Sequence, residues 1–121
     1  MYKKEGYDLV GAALEVHNVL GGGLLEEIYQ QALEHELFLR EIPFESKKKL
    51  VVFYKEEQLE KYYIPDLFVF GGIIAELKAV KELCDEHRAQ LLNYMRLTKL
   101  RVGYLLNFGT IDKLEWERFI L

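Results

Sequence analysis

The sequence predicts a domain of the α/β class, built on a mixed central sheet flanked by helices. Apolar residues recur with helical spacing near the N-terminus and again after residue 84, whereas the segments between these regions are short apolar runs typical of strands. Strand-like segments also lie on both sides of the last long helix, which favours a parallel pair of strands joined by a crossover helix. Two or three layers of secondary structure are therefore expected.

Two helices are predicted to open the chain. An apolar stripe from Tyr7 to His17 marks the first helix, and the glycines of "LGGGLLEE" end it. The second helix is expected from about Leu24 to about Leu39. Glu26 and Tyr29 lie on the same stripe of this helix as two leucines. Glu26 is therefore predicted to face inward, which is unusual for a glutamate.

The sheet is predicted to begin with the strands "IPFESKKKLVVFY", "YYIPDLFVF" and "IIAELKAV", with "EEQLE" as a turn or short edge after the first. The second and third lack the alternation of a half-exposed strand, so both of their faces are expected to be buried. A third helix follows over "DEHRAQLLNYMRLT", with Asp85 complementing the dipole at its N-terminus. "RVGYLLNFG" and "LEWERFIL" are predicted to be the last strands.

Length and composition indicate one domain over residues 1–121, because the chain has no repeat, low-complexity tract or linker-like segment. No apolar run reaches transmembrane length and the N-terminus lacks the apolar region of a signal peptide, so no membrane partner is expected. The single Cys84 fits a reducing compartment, and we expect a cytoplasmic protein.

The net charge of −4 argues mildly against non-specific binding to nucleic acid, which needs a basic face to neutralise phosphates. Carboxylates that bind a metal would nevertheless contribute to this negative charge. The lysines of "SKKK", Lys47 to Lys49, are expected to be solvated surface charges.

Three charged residues interrupt the two most apolar strands: Asp66, Glu76 and Lys78. A buried unpaired carboxylate costs several kcal/mol, and two close together need a cation to neutralise them. Glu26 could supply a third carboxylate from the second helix. Such oxygen ligands suit Mg²⁺ or Mn²⁺. The alternative is an internal salt bridge of Lys78 with Glu76 or Asp66.

The turn between these strands decides whether the two carboxylates face each other. A strict two-residue turn at Gly71-Gly72 would place Asp66 opposite Leu77, with Glu76 on the other face. A three-residue loop, Phe70–Gly72, would place Asp66 directly opposite Glu76 on one face, and a bulge before Asp66 would do the same. The metal-site hypothesis therefore requires one of the latter arrangements.

These residues resemble the signature of the PD-(D/E)xK nuclease superfamily, with Pro65-Asp66 followed by Glu76-Leu77-Lys78 in "PDLFVFGGIIAELK". The predicted element order also resembles the αβββαβ core of that superfamily, which implies a restriction-endonuclease-like fold. More specifically, "HNVLGGGLLEEIY", with Gly23, Glu26 and Tyr29, resembles the glycine-rich signature of the GxxExxY family. "AQLLNYMRLTKLRVGYLLNFG" is similar to the C-terminal half of the same family.

The resemblance implies roles in metal-dependent hydrolysis. Asp66 and Glu76 would bind a divalent metal, Mg²⁺ or Mn²⁺, together with the Leu77 carbonyl. Lys78 would orient or activate the attacking water and offset charge in the transition state. Glu26 would complete the metal shell or hold one of its waters.

Three further residues are expected around this site. Gln90 and Tyr94 are spaced i and i+4, so they share a face of the third helix. In isolation they are explained by a core tyrosine beside a boundary glutamine, whereas the resemblance implies a Q-x-x-x-Y element beside the site. Tyr29 is expected to support the ligands or to contact the substrate.

The function that the resemblance implies is a Mg²⁺- or Mn²⁺-dependent nuclease acting on DNA or RNA. Two alternatives stay open: a non-catalytic interaction or assembly module on the same fold, and a hydrolase of a small phosphorylated molecule, which suits the acidic charge better. A core of this size also leads us to expect a homo-oligomer or a partner protein, either of which would help to grip a duplex.

Overall fold

A five-stranded mixed sheet with helices on both faces organises the chain, and the predicted α/β class is confirmed. The computed structural model describes every residue, Met1–Leu121. The helices are α1 (Lys3–Leu20), α2 (Glu26–Leu39) and α3 (Asp85–Thr98). The strands are β1 (Phe44–Ser46), β2 (Leu50–Tyr54), β3 (Glu57–Tyr63), β4 (Leu67–Val69), β5 (Ile73–Lys78), β6 (Val102–Asn107) and β7 (Glu115–Ile120).

The strands of the main sheet are ordered β1-β4-β5-β6-β7. β5 and β6 are parallel, and every other neighbouring pair is antiparallel. Because α3 connects the two parallel strands, it is the predicted crossover helix. β5 therefore lies at the centre of the sheet, between the antiparallel β4 and the parallel β6.

The core lies on both faces of β5, which explains why this strand lacks alternation. Ile73, Ala75 and Leu77 belong to a cluster of buried side chains that includes residues of α1 and α2. Ile74 belongs to a second cluster, formed with residues of α3 such as Leu91. Successive residues of a strand point to opposite faces, so a strand between two helical layers is apolar throughout.

The strand boundaries before β4 differ from the prediction. The first predicted strand is divided into β1 and β2 by Lys47–Lys49, because Lys47 has a left-handed backbone conformation (φ 54°) that turns the chain away. The segment "EEQLE", expected as a turn or short edge, is part of β3, which pairs with β2 in a separate two-stranded sheet. Every residue of β3 is exposed, so no buried face marks it in the sequence.

The second predicted strand is also divided. Tyr62 and Tyr63 end β3, and only Leu67–Val69 of "YYIPDLFVF" joins the main sheet as β4.

None of the three helices combines the length and the hydropathy needed to cross a bilayer.

Candidate active site

The turn between β4 and β5 is a three-residue loop, as the metal-site hypothesis requires. Val69 pairs with Ile73, which leaves Phe70–Gly72 as the loop. Phe70 and Gly71 both have positive φ values, 55° and 70°, so the left-handed backbone is not confined to a glycine. Continuing the register by one pair beyond β4 places Asp66 opposite Glu76 on the same face of the sheet.

Asp66 and Glu76 form a buried carboxylate pair, with only 6% and 4% of their surfaces exposed. Each carboxylate accepts a hydrogen bond from a main-chain N–H: Asp66 Oδ2 from Leu77, at 2.8 Å, and Glu76 Oε2 from Asp66, at 2.7 Å. These contacts link the end of β5 to the residue that precedes β4. The separation of the two carboxylates is therefore fixed by the backbone.

Burial and the neighbouring charge of Asp66 raise the pKa of Glu76 to about 8. The hydrogen bond from the Asp66 N–H and the charges of Lys78 and Lys47 oppose this rise without cancelling it. At neutral pH the Glu76 carboxyl therefore holds a proton, which it would release if a metal cation bound between the two carboxylates.

Lys47 supplies the cation that pairs with Asp66. Its Nζ donates to Asp66 Oδ1 at 2.5 Å, and its main-chain N–H donates to the Asp66 carbonyl at 3.1 Å. Burial opposes the charged form of Lys47, but the hydrogen bond and the surrounding acids outweigh burial and raise its pKa. The expectation that the lysines of "SKKK" are only solvated surface charges is therefore wrong for Lys47.

Lys78 does not form the salt bridge that was the alternative explanation of its position. Its Nζ donates instead to Gln90 Oε1 at 3.0 Å, and Gln90 Nε2 donates to the Tyr94 hydroxyl at 3.3 Å. Burial, together with the charges of Glu76 and Asp66, raises the pKa of Tyr94 to about 12. The predicted pair on α3 therefore lies beside the predicted lysine, and the tyrosine is buried and neutral.

Glu26 differs from the prediction, because it is exposed at the first position of α2. The helix begins two residues later than expected, so Glu26 lies at the edge of the packed stripe. Partial burial and the negative charge of Asp66 still raise its pKa. No group of three His, Cys, Asp or Glu side chains lies close enough together to hold a metal ion. The carboxylates that do come together are those of Asp66 and Glu76.

Tyr29 belongs to the core and cannot contact a substrate directly. Its ring is fully buried and stacks on Phe108 with ring centres 5.0 Å apart. Its hydroxyl donates to the Gly21 carbonyl and accepts from the Leu24 N–H, so it ties the glycine-rich loop to α2. Gly23 in that loop has a φ of 96°, which favours glycine. These contacts fix the start of α2, and with it Glu26.

Gln30 is a residue beside the pair that sequence reasoning missed. It is buried and donates to the Asp66 carbonyl at 3.1 Å. Its spacing of four residues from Glu26 was a usable signal, because i and i+4 share a helix face. Pro65 was recognised as part of the "PD" dipeptide, but nothing in the sequence shows that the regular pairing of β4 begins only after Asp66.

The Leu77 carbonyl lies on the same side as the carboxylates. The N–H and C=O of one strand residue are directed towards the same neighbouring strand, and the Leu77 N–H is directed to Asp66 on the β4 side. Pro65, which precedes Asp66, has no N–H that could donate to this carbonyl. Two carboxylates and a main-chain carbonyl on one side form an all-oxygen set of donors, which fits Mg²⁺ or Mn²⁺.

Comparisons with known proteins agree with this geometry. A family model described as the PD-(D/E)XK nuclease superfamily matches residues 3–119. No curated protein matches the sequence. The crystal structure of SSO0001 is similar, with a TM-score of 0.63, 18% identical residues and a match over 98% of this chain. This chain spans 59% of the length of SSO0001, and at this identity the similarity shows the fold alone.

Proposed function

Because the chain belongs to the PD-(D/E)XK nuclease superfamily, we propose that it is a divalent-metal-dependent nuclease that hydrolyses phosphodiester bonds of DNA or RNA. The observation that carries this proposal is the buried pair of Asp66 and Glu76, opposite each other on one face and beside Lys78. Burying two carboxylates together is costly, and in the metal-free protein Lys47 and the raised pKa of Glu76 reduce that cost. In the proposal a metal ion takes over this neutralising role.

The metal in this proposal is Mg²⁺ or Mn²⁺. Asp66, Glu76 and the Leu77 carbonyl would hold it, and Glu26 would contribute from the start of α2, directly or through a water. When bound, the ion supplies Lewis-acid polarisation of a phosphate oxygen and lowers the pKa of water. In this proposal Lys47 leaves Asp66 Oδ1 when the ion enters, because both cations use the same carboxylate.

Lys78 is the proposed catalytic cation. Its ammonium group would stabilise negative charge that develops on the phosphate during hydrolysis and would orient the attacking water. Gln90 supports this role because its Oε1 accepts from Lys78 Nζ and restricts where the ammonium group lies. Tyr94 is neutral, and its hydroxyl accepts a hydrogen bond from Gln90 Nε2 that helps to hold the glutamine in position.

The finer assignments belong to the same proposal. Membership of the GxxExxY family is proposed from the motif residues Gly23, Glu26 and Tyr29. The hydrogen bonds of Tyr29 to the glycine-rich loop, which includes Gly23, fix the start of α2, where Glu26 lies. A single nuclease domain over residues 1–121 is proposed, because strands from β1 to β7 belong to one five-stranded sheet. A cytoplasmic location is proposed from the single Cys84.

The test is a cleavage assay with purified protein and labelled single-stranded and duplex DNA and RNA. We expect cleavage with Mg²⁺ or Mn²⁺ and none with EDTA. Asp66→Asn should abolish cleavage, because it removes a ligand charge while keeping the shape of the side chain. Asp112→Asn, in an exposed loop, is the matched control and should cut like the wild type.

Failure to cut any of these nucleic acids with either metal would contradict the proposal. A parallel screen of nucleotides and small phosphate esters separates the nuclease from a hydrolase of small molecules. If calorimetry also detects no binding of Mn²⁺, the chain is a non-catalytic interaction module on a nuclease fold.

A further inference from the structure

The hairpin formed by β2 and β3 stands apart from the main sheet. Its two strands pair only with each other, as a two-stranded sheet. All of β3 and most of β2 are exposed, although several of their side chains are large and apolar. An isolated hairpin contributes little to a core, so its composition calls for another explanation.

One face of the hairpin anchors it to the body of the protein. Leu50 and Tyr63 are paired across the ladder, and paired residues share a face. Leu50 packs against the α3-side core, and the Tyr63 ring lies edge-on to Tyr94 with ring centres 5.4 Å apart. This inner face therefore fixes the hairpin against α3.

The opposite face of the hairpin, which we call the outer face, consists of Lys49, Val51, Phe53 and Tyr62. Val51 pairs with Tyr62, and Lys49 is placed on this side by its contact with the Tyr62 ring. Phe53 is exposed like Val51, while the residue between them is half-buried, so it lies on the same side of β2, although the register shifts between the two and Phe53 pairs with Gln58. Phe53 is 57% exposed and Tyr62 39%. The Lys49 ammonium group lies 4.1 Å from the centre of the Tyr62 ring. Two aromatic rings and a cation are thus exposed together.

Three lysines lead into the hairpin, and they make this part of the chain positive. Residues 47–63, which comprise Lys47–Lys49 and the hairpin, contain five lysines and three glutamates, a net charge of +2, whereas the whole chain has −4. The positive charge lies at the start of the segment, where Lys49 belongs to the outer face, so a polyanion is attracted to that end of the hairpin.

The hairpin is also continuous with the candidate active site. Lys47 at its foot pairs with Asp66. Tyr63 at its other foot contacts Tyr94, which is linked through Gln90 to Lys78. A cleft of about 280 Å³ lies between this foot and α3, and its lining includes Tyr63, Gln90 and Tyr94. Both ends of the hairpin therefore lie beside residues of the candidate active site.

We infer that the outer face of the β2–β3 hairpin binds single-stranded nucleic acid, DNA or RNA, next to the proposed cleavage site. This inference rests on the proposed nuclease function and names its substrate class. Unpaired bases stack on exposed aromatic rings, while lysines neutralise the phosphates. A duplex offers phosphates but no free base faces, so Phe53 and Tyr62 would gain nothing from it. The outer face therefore selects for single strands.

Fluorescence anisotropy in EDTA tests this inference without requiring cleavage. Three labelled probes of about 15 nucleotides are used, a length within the range of single-strand binding sites. They are a DNA single strand, an RNA single strand and the corresponding DNA duplex. Phe53→Ala and Tyr62→Ala should each weaken binding of the single strand roughly 5- to 150-fold, because each removes the stacking of one base. Phe38→Ala removes an exposed phenylalanine of α2 and should bind like the wild type.

Equal binding of the single strand by the wild type and both hairpin variants would overturn the inference. Cleavage by those variants with Mn²⁺ would then leave the proposed function intact. A wild type that neither binds nor cuts any nucleic acid would instead remove the proposed function. If the wild type is a dimer in solution and Phe53→Ala is a monomer, the outer face joins two copies of this chain, which also overturns the inference. The DNA and RNA probes show which single strand is preferred.

Discussion

The two halves of strand β5 have opposite physical characters. Ile73, Ile74 and Ala75 are completely buried and belong to the two apolar clusters. The next three residues include a buried carboxylate, Glu76, and a lysine whose ammonium group is bound by a glutamine of α3. The first half is apolar throughout, whereas in the second half Leu77 packs in the core and its two neighbours hold charged groups at a defined place.

The cause of this difference lies in the neighbouring strand. β4 faces only the first half of β5, because it begins at Leu67. Beyond it, Asp66 turns its carboxylate to the Leu77 N–H. On its β4 side, the second half of β5 therefore has a side-chain contact in place of ladder hydrogen bonds, while its pairing with β6 continues to Lys78. Such local departures from regular structure are concentrated at functional sites.

The largest expected effect is the loss of activity in Glu76→Gln. We expect cleavage to fall by about 1,000-fold or more, because several kcal/mol of stabilisation through the metal are lost. The fold should persist, because glutamine is close in size to glutamate and removes a buried charge. Single-turnover cleavage and circular dichroism measure the two properties. Normal cleavage by a folded variant would show that the second half of β5 is not the site.

Ile74→Ala tests the first half of the strand. Removing this fully buried side chain should lower the free energy of unfolding by about 2–5 kcal/mol, through lost burial and a residual cavity. Urea unfolding gives this quantity. The affinity for Mn²⁺, measured by calorimetry below the unfolding transition, should stay at the wild-type value. A large loss of affinity would mean that the two halves are not separable.

Gln90→Leu tests how far the second half depends on α3. The substitution keeps the volume but removes the acceptor of Lys78 Nζ, so we expect kcat to fall about 10-fold, the low end of effects seen when a supporting contact is lost. Mn²⁺ affinity should change little, because Gln90 contacts neither carboxylate. If Lys78→Met and the double variant Lys78→Met/Gln90→Leu lose the same amount of activity, Gln90 acts through Lys78.

A pH dependence of stability in the metal-free protein tests the buried carboxylate of the second half directly. Burial raises the pKa of Glu76 from 4.5 to about 8, so the folded protein binds a proton that the unfolded chain has lost. The resulting stability is complete below pH 4.5 and is lost as pH rises towards 8, with a slope of at most about 1.4 kcal/mol per pH unit. Urea unfolding in EDTA at several pH values should show this decline in the wild type. A decline of the same size in Glu76→Gln would contradict the assignment to this carboxylate.

Much of the fold and the carboxylate pair could be predicted, because they depend on local patterns. Continuous apolar runs identified β5 as buried on both faces, and the length of the glycine turn restricted its register to two cases. The role of Lys47 could not be predicted, because nothing near it in the sequence reports that the chain returns to Asp66, 19 residues later. β3 was missed because an exposed strand has no buried face to impose a period. The exposure of Glu26 depended on where α2 begins, and helix termini are poorly defined by periodicity alone.

The most direct test of the central claim is a crystal structure of the protein soaked in Mn²⁺, with the ion located by its anomalous signal. The account predicts Mn²⁺ between Asp66 and Glu76, in contact with the Leu77 carbonyl, and Lys47 displaced from Asp66 Oδ1. An Asp66→Asn crystal soaked in the same way should contain no ion there. Wild-type crystals in which Lys47 remains on Asp66 and no Mn²⁺ lies between the carboxylates would contradict the account.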